Sequence, residues 1–379
     1  MKHVAAARAV ILSAIALAAL TAQAGESKPW TERIHVSGDI RYRHESISED
    51  KLHDTDKIRV PDRNRHRLRL RVGLKAEVNP MMDAVVRIAS GVGQPVSTNQ
   101  DLTDAFSEKD LWIDRAYMDY HPRKWLSARA GKQGVPFEKT DLVWDSDVNV
   151  EGISILPNYE VPGGELFFRA GGFWAEEHTT GGGQGMLGGQ IGTEQKSGKF
   201  SGQVAVAYYD WLHVKNGPLL YSADKSYGNN SHVENEIKLY RSDFNLLDVT
   251  ALLATKSKRM EITVNGNFVM NSGAVEDPET NEKHDNGWLA GVAISLPECP
   301  LDWELGWNYR DLQADATIGA FTDSDHAGGG TNFCGHGFSL ALTPMPNTRL
   351  GGNLMLDTKD PDGGKLAYRR LQIDLAVSF

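Results

Sequence analysis

Hydrophobic and polar residues alternate along most of this chain. The clearest run is "RNRHRLRLRVGLKAEVN", residues 63–79. It sets Arg63, Arg65, Arg67, Arg69 and Arg71 on one side of an extended backbone and Leu68, Leu70, Val72, Leu74, Ala76 and Val78 on the other. Successive side chains of a strand point to opposite faces, so a period of two predicts a strand with one charged and one aliphatic face. The same period runs through residues 33–45, where Ile34, Val36, Ile40 and Tyr42 oppose His35, Asp39, Arg41 and Arg43. It recurs over 164–176, 260–271, 301–310 and 349–357 and in the closing "LQIDLAVSF". Weaker alternation near 82–91, 111–121, 126–134, 150–160, 183–195, 200–212, 242–255, 286–297 and 331–344 brings the expected strands to sixteen.

The links between these segments alternate as well. After each even-numbered strand the link is short: "NPMMD", "HPRKW", "EVPG", "QKSG", "KSK", "PECP", "TPMPN". After each odd-numbered strand it is longer and rich in Asp, Glu, Asn, Gly and Ser, as in "ISEDKLHDTDKIRVPD" and "NSGAVEDPETNEKHDN". Charge keeps to one face of each strand. Short turns at one end, long polar loops at the other and one uncharged face predict an all-β fold, a transmembrane antiparallel β-barrel of 16 to 18 strands, most simply sixteen. The arginines then line a water-filled lumen, because charge is costly on the lipid face and cheap in a hydrated one. A β-sandwich would not require the links to alternate.

Composition narrows the function. No run after the first two dozen residues reaches the roughly 18 apolar residues of a spanning helix. The formal net charge of −10 argues against nucleic acid as the partner of the arginine row. Two cysteines, Cys299 and Cys334, do not make a disulfide scaffold, and the barrel geometry places them too far apart to bridge. The start, "MKHVAAARAVILSAIALAALTAQA", has a cationic tip, a short apolar run and small residues before a cut. Residues 1–24 are therefore expected to be a cleaved secretory signal peptide, with residues 25–379 forming a single barrel. No cofactor and no metal site are expected, since "FTDSDH" and "DPDGG" lack the full ligand spacing of a calcium loop.

Two stretches carry a resemblance. The final strand, with Leu371, Ile373, Leu375, Val377 and the terminal Phe379 on one face, resembles the C-terminal assembly signal of bacterial outer-membrane barrels. The run from "LWIDRAYMDYHP" through "ARAGKQGVPF" to "WDSDVNVEG" resembles a group of proteobacterial porins, and the whole layout is similar to the general porins. The resemblance implies a passive outer-membrane channel for small hydrophilic solutes and ions, with no catalytic activity. It also implies contact with outer-membrane lipid and the barrel-assembly machinery, and a homotrimer. It further implies that the third loop, residues 134–152, folds inward and constricts the pore. Glu138, Asp141, Asp145 and Asp147 would then face a basic wall of Arg41, Arg43, Arg63, Arg65, Arg67, Arg69 and Arg71, joined by Arg87 and Lys132. Such opposed charges set ionic preference, and the arginines suggest anions. Two other readings stay open. One is a sheath for a partner such as an electron-conduit cytochrome, whose haem the partner would supply. The other is an outer-membrane lipase, for which the chain shows no convincing Ser/His pair.

Overall fold

The computed structural model describes residues 29–53, 56–103, 105–177, 182–278, 281–297, 301–360 and 363–379. The expected signal peptide and Cys299 lie outside the described residues. Sixteen strands make the wall. The first eight are β1 (Ile34–His53), β2 (Arg63–Asn79), β3 (Met82–Ser90), β4 (Leu111–Arg123), β5 (Leu126–Gly134), β6 (Asn149–Val161), β7 (Gly164–Glu176) and β8 (Gln184–Ser197). Then follow β9 (Phe200–Leu212), β10 (Asn245–Lys256), β11 (Glu261–Asn271), β12 (Asn286–Leu296), β13 (Asp302–Leu312), β14 (Phe333–Met345), β15 (Thr348–Lys359) and β16 (Leu366–Ser378). Each pairs antiparallel with its chain neighbours, and β16 returns to β1 from Asp39↔Ser378 to Glu49↔Tyr368. Closure leaves no unpaired edge, which a bilayer requires because lipid cannot satisfy backbone polar groups.

The outward face is aliphatic and aromatic. Val36, Ile40, Leu253, Val264, Ile373 and Leu375 are all exposed on it. Near the long-loop end, Trp288, Tyr309, Trp307 and His336 pack ring against ring as an interfacial girdle. The short links fall where the sequence places them, at 80–81, 124–125, 162–163, 198–199, 257–260 and 346–347 among the described residues. At the other end β1 runs further than its alternation suggests. Its upper end folds over as a hairpin with a short strand, Asp56–Arg59. A further short strand, Gln100–Asp101, pairs with Arg67 and Leu68.

The long loops are not simply solvated. Phe137, Leu142, Val143 and Trp144 from residues 135–148 join Val214, Leu219 and Leu220 from 213–244 and Ile318 and Ala320 from 313–332. Together they pack on inward side chains of the wall, among them Phe173, Met186, Tyr209, Trp211 and Leu246. Trp144 stacks on Trp211 at 6.0 Å, and Trp211 on Phe321 at 5.4 Å. Each such side chain contributes about 1.5–3 kcal/mol on burial. An apolar core therefore fills the long-loop end of the barrel along β7–β14.

Candidate functional site

Parity on β1 turns Asp39, Arg41, Arg43 and Glu45 inward. The register with β2 then sets Asp39 opposite Arg71, Arg41 opposite Arg69, Arg43 opposite Arg67 and Glu45 opposite Arg65. Two of these rungs bring like charges face to face, which destabilises a sheet unless other charges intervene. They come from the neighbouring strand and from loops. On β16, Asp374 accepts two bonds from Arg43, from Nε and Nη2, both at 2.7 Å. Glu45 is fully buried and accepts from Arg65, from Arg370 Nε at 2.8 Å and from Gln372 at 3.3 Å. Asp39 accepts from Arg69 Nε at 2.8 Å and from Arg71 Nε at 2.7 Å. Asp101, on the short strand beside β2, lies 3.0, 3.2 and 2.9 Å from Arg63, Arg65 and Arg67. The arginine row is thus a charge ladder threaded with carboxylates of its own wall.

The loop 135–148 meets this ladder from the lumen. Asp147 is buried, accepts from the Thr98 backbone N–H at 3.0 Å and hydroxyl at 3.1 Å, and lies 3.4 Å from Arg71 Nη1. Asp145 accepts from the backbone N–H groups of Asp147 and Ser324, each at 2.8 Å. Burial, then the charges of Asp323 and Asp147, pushes the Asp145 carboxyl up to about 8. Asp141 opens on the lumen, yet withdrawal from bulk water and the neighbouring Asp323 push it up to about 6. Asp325, in the loop 313–332, behaves oppositely: burial raises it, but Arg370 and Arg43 hold it well below the usual carboxylate range. Across the barrel, Thr140 Oγ1 donates to Asn267 Oδ1 on β11 at 2.5 Å, tying the loop to the far wall.

Of the residues the sequence singled out, Arg41, Arg43, Arg65, Arg67, Arg69 and Arg71 stand together on one inner wall. Arg63 belongs to the same row but sits at the mouth, largely exposed. Arg87 points inward on β3, bonded to Asp114. Lys132 does not line the lumen with them. On β5 it is Gln133, buried and bonded to Ser154, that points inward, so Lys132 takes the outward face and pairs with Glu151 at 2.6 Å. Among the expected loop acids, Asp141, Asp145 and Asp147 approach the ladder and Glu138 does not. The Glu138 backbone is held by Gln190 at 2.8 Å, and its charge faces Arg169. The loop proper is also shorter than 134–152, since Gly134 ends β5 and Asn149 begins β6. Leu375, Val377 and Phe379 are exposed on the outer face, and the Phe379 N–H and C=O close the seam on Gly38.

Sequence reasoning missed the wall acids Asp39, Glu45 and Asp374 and the pairs Arg310–Asp323 and Arg370–Asp325. For Asp39 and Glu45 the signal was present, because they share the parity of Arg41 and Arg43. For Asp101, Asp323 and Asp325 it was not, because loop residues carry no parity.

A cavity of about 220 Å³ is lined by Arg41, Arg43, Arg69, Asn99, Asp141 and Ser324, among others. A second, of about 350 Å³, reaches toward Thr250 and Asn265 and shares Asp141, Asn308, Arg310 and Ser339 with the first. The two cavities therefore adjoin at Asp141 and Arg310, and guanidinium groups and carboxylates both appear in their lining. A lining of this kind can sort hydrated solutes by charge.

The family model described as "Putative porin" matches residues 52–220 and 219–379. Among solved structures, the outer membrane channel DcaP of Acinetobacter baumannii aligns with a TM-score of 0.52 at 16% identity, covering 91% of this chain and 97% of that one. OprB of Pseudomonas putida aligns with a TM-score of 0.58 at 10% identity, covering 91% and 94%. OmpT of Vibrio cholerae, in its trimer form, aligns with a TM-score of 0.52 at 13% identity, covering 91% and 99%. At these identities the likeness is one of fold. No curated protein matches the chain.

Proposed function

This chain belongs to the porin family described as "Putative porin", and from that premise we propose that it lets small hydrophilic solutes and ions diffuse passively across the outer membrane with a preference for anions. The observation that carries the reading is the charged lining of the two adjoining cavities. Arg41, Arg43 and Arg69 line the first on the wall side, while burial and the charge of Asp323 push the carboxyl of Asp145, which lines it too, up to about 8. The ladder's own carboxylates keep the preference modest. Planar-bilayer recording from the purified protein under a salt gradient tests both parts. Steady conductance with a reversal potential displaced toward anions is expected. Cation preference would transfer control to Asp141 and Asp147, and no conductance from a folded barrel would overturn the channel.

Three further parts belong to the proposal. Residues 1–24 are removed on export, so the mature mass should correspond to a chain starting near Gly25. Residues Leu375, Val377 and Phe379 are read by the barrel-assembly machinery, and the outward face meets outer-membrane lipid. The chain assembles as a homotrimer, as the OmpT trimer of the same fold suggests. A sheath role for a cytochrome is disfavoured by the loop core, which packs Leu142, Trp144, Leu220 and Ile318 against the inner wall where a protein partner would have to pass. We assign no catalytic role, and a lipid-hydrolysis assay on the folded protein should give no turnover.

A further inference from the structure

The wall is notched at its long-loop end. Backbone pairing between β4 and β5 stops at Ala116↔Lys132, and pairing between β6 and β7 stops at Gly152↔Phe173. Above those rungs, residues 133–134 and 149–151 pair only with each other, because the loop between them turns inward. A cavity of about 450 Å³ occupies the notch. It touches Ile113 and Trp174, exposed on the outer face, and Trp144, Phe173, Trp211 and Phe321 of the loop core.

The charges in its lining are already matched. Lys132 pairs with Glu151 at 2.6 Å, and Asp114 accepts from Arg87 and from Asn149, the latter at 2.7 Å. Asp147 accepts from Thr98, and Glu176 accepts from the Tyr221 backbone N–H at 2.6 Å. The capacity left over is aromatic. Trp144, Trp211 and Phe321 form a stack of near-parallel rings with centroids 5.4–6.2 Å apart. The Trp211 Nε1 is buried with no partner among the described residues.

We propose that this cavity binds small uncharged aromatic molecules, whose ring packs on the Trp144–Trp211–Phe321 stack and whose carbonyl oxygen accepts from the Trp211 Nε1–H. Aromatic pairs gain more than their buried area alone supplies, and a concave, mainly apolar pocket with a few polar points is the usual form of a small-molecule site. A charged molecule would give up its hydration here without finding an unmatched counter-charge. The site shares only Asp147 with the two charged cavities, so it does not depend on the ionic preference proposed above.

The test is titration calorimetry of the folded, detergent-solubilised protein with three probes of similar size: benzamide, benzoate, which adds a charge, and cyclohexanecarboxamide, which removes the aromatic ring. Benzamide should bind once per chain, benzoate about tenfold more weakly and cyclohexanecarboxamide about fivefold more weakly. No saturable binding of benzamide, or equal binding of all three, overturns the site. Ala175→Trp, at an exposed position of the lining, should abolish benzamide binding. Trp211→Phe, which keeps a ring and removes the N–H, should weaken it about fivefold, the scale of one hydrogen bond. Unchanged affinity in either folded variant also overturns the proposal. The three-probe comparison uses the wild type alone, so it decides the matter even where a variant misfolds.

Discussion

Glu45 shows how a single residue governs the ladder. Its carboxylate is fully buried and bonded to Arg65, Arg370 and Gln372, with Arg67 Nη1 3.9 Å away. Removing one member of such a group leaves buried charge uncompensated, so Glu45→Gln should destabilise the barrel by about 3 kcal/mol, read as a lower urea midpoint. The same variant should move the reversal potential further toward anions. Asp145 carries a pH dependence whose sign follows from its raised pKa. A carboxyl lifted to about 8 is neutral below that value and gains its charge as the pH rises through it. Taking the bath from pH about 9 to about 6.5 removes one negative charge from among Asp141, Asp147 and Asp323, so anion preference should increase. Asp145→Asn should flatten the response over that range.

At the scale of elements, the seam between β1 and β16 is closely packed. A Cβ at Gly38 would lie 2.5 Å from the Arg71 carbonyl oxygen and 2.6 Å from the Phe379 ring. Gly38→Val should therefore impair closure, seen as loss of the fast-migrating folded band in unheated gels. Gly189 on β8 makes the contrast, because a Cβ there meets nothing within 4 Å and the Leu187 and Ile191 side chains beside it face outward. Gly189→Val should fold as the wild type does. The loop 135–148 is an element of another kind, held by an apolar stack at one end and by polar tethers at others. Thr140→Val removes the donor to Asn267, which is itself bonded to Asp248 at 2.5 Å. That change should leave the barrel intact and raise the open-channel current noise, since the loop loses its link to β11.

For the molecule as a whole, the distribution of apolar residues explains where the passage runs. An empty barrel of this strand number is a wide tube. The loop core occupies the long-loop end along β7–β14, and below it one cavity lies beside the β1 and β2 arginines and a second against β9–β14. Solutes are thereby brought beside charged groups, where a wide central tube would have kept them in screened solvent beyond a Debye length of roughly 8–10 Å. Trimerisation is a prediction at this scale, and light scattering of the detergent-solubilised protein should give the mass of three chains. A monomer would remove that part of the proposal and leave the passage untouched, because the passage is enclosed by one chain.

The sequence alone determined the strands, their number, the inward turn of the arginine row and the alternation of short and long links. Each follows from the period-two pattern, and a closed wall with lipid on one side and water on the other enforces that pattern residue by residue. The pairing of Asp39 and Glu45 with the arginines lay in the same parity, one step beyond the row itself. Only the tertiary structure decided which loop acids reach the ladder. Asp147 touches Arg71 and Glu138 turns toward Arg169 although nine positions separate them in one loop, because a loop has no period to fix its directions. It also decided that Leu142, Val143 and Trp144 are core and not surface. That depends on Leu219, Leu220, Ile318 and Phe321 arriving from distant links, and such long-range packing leaves no trace in a local pattern.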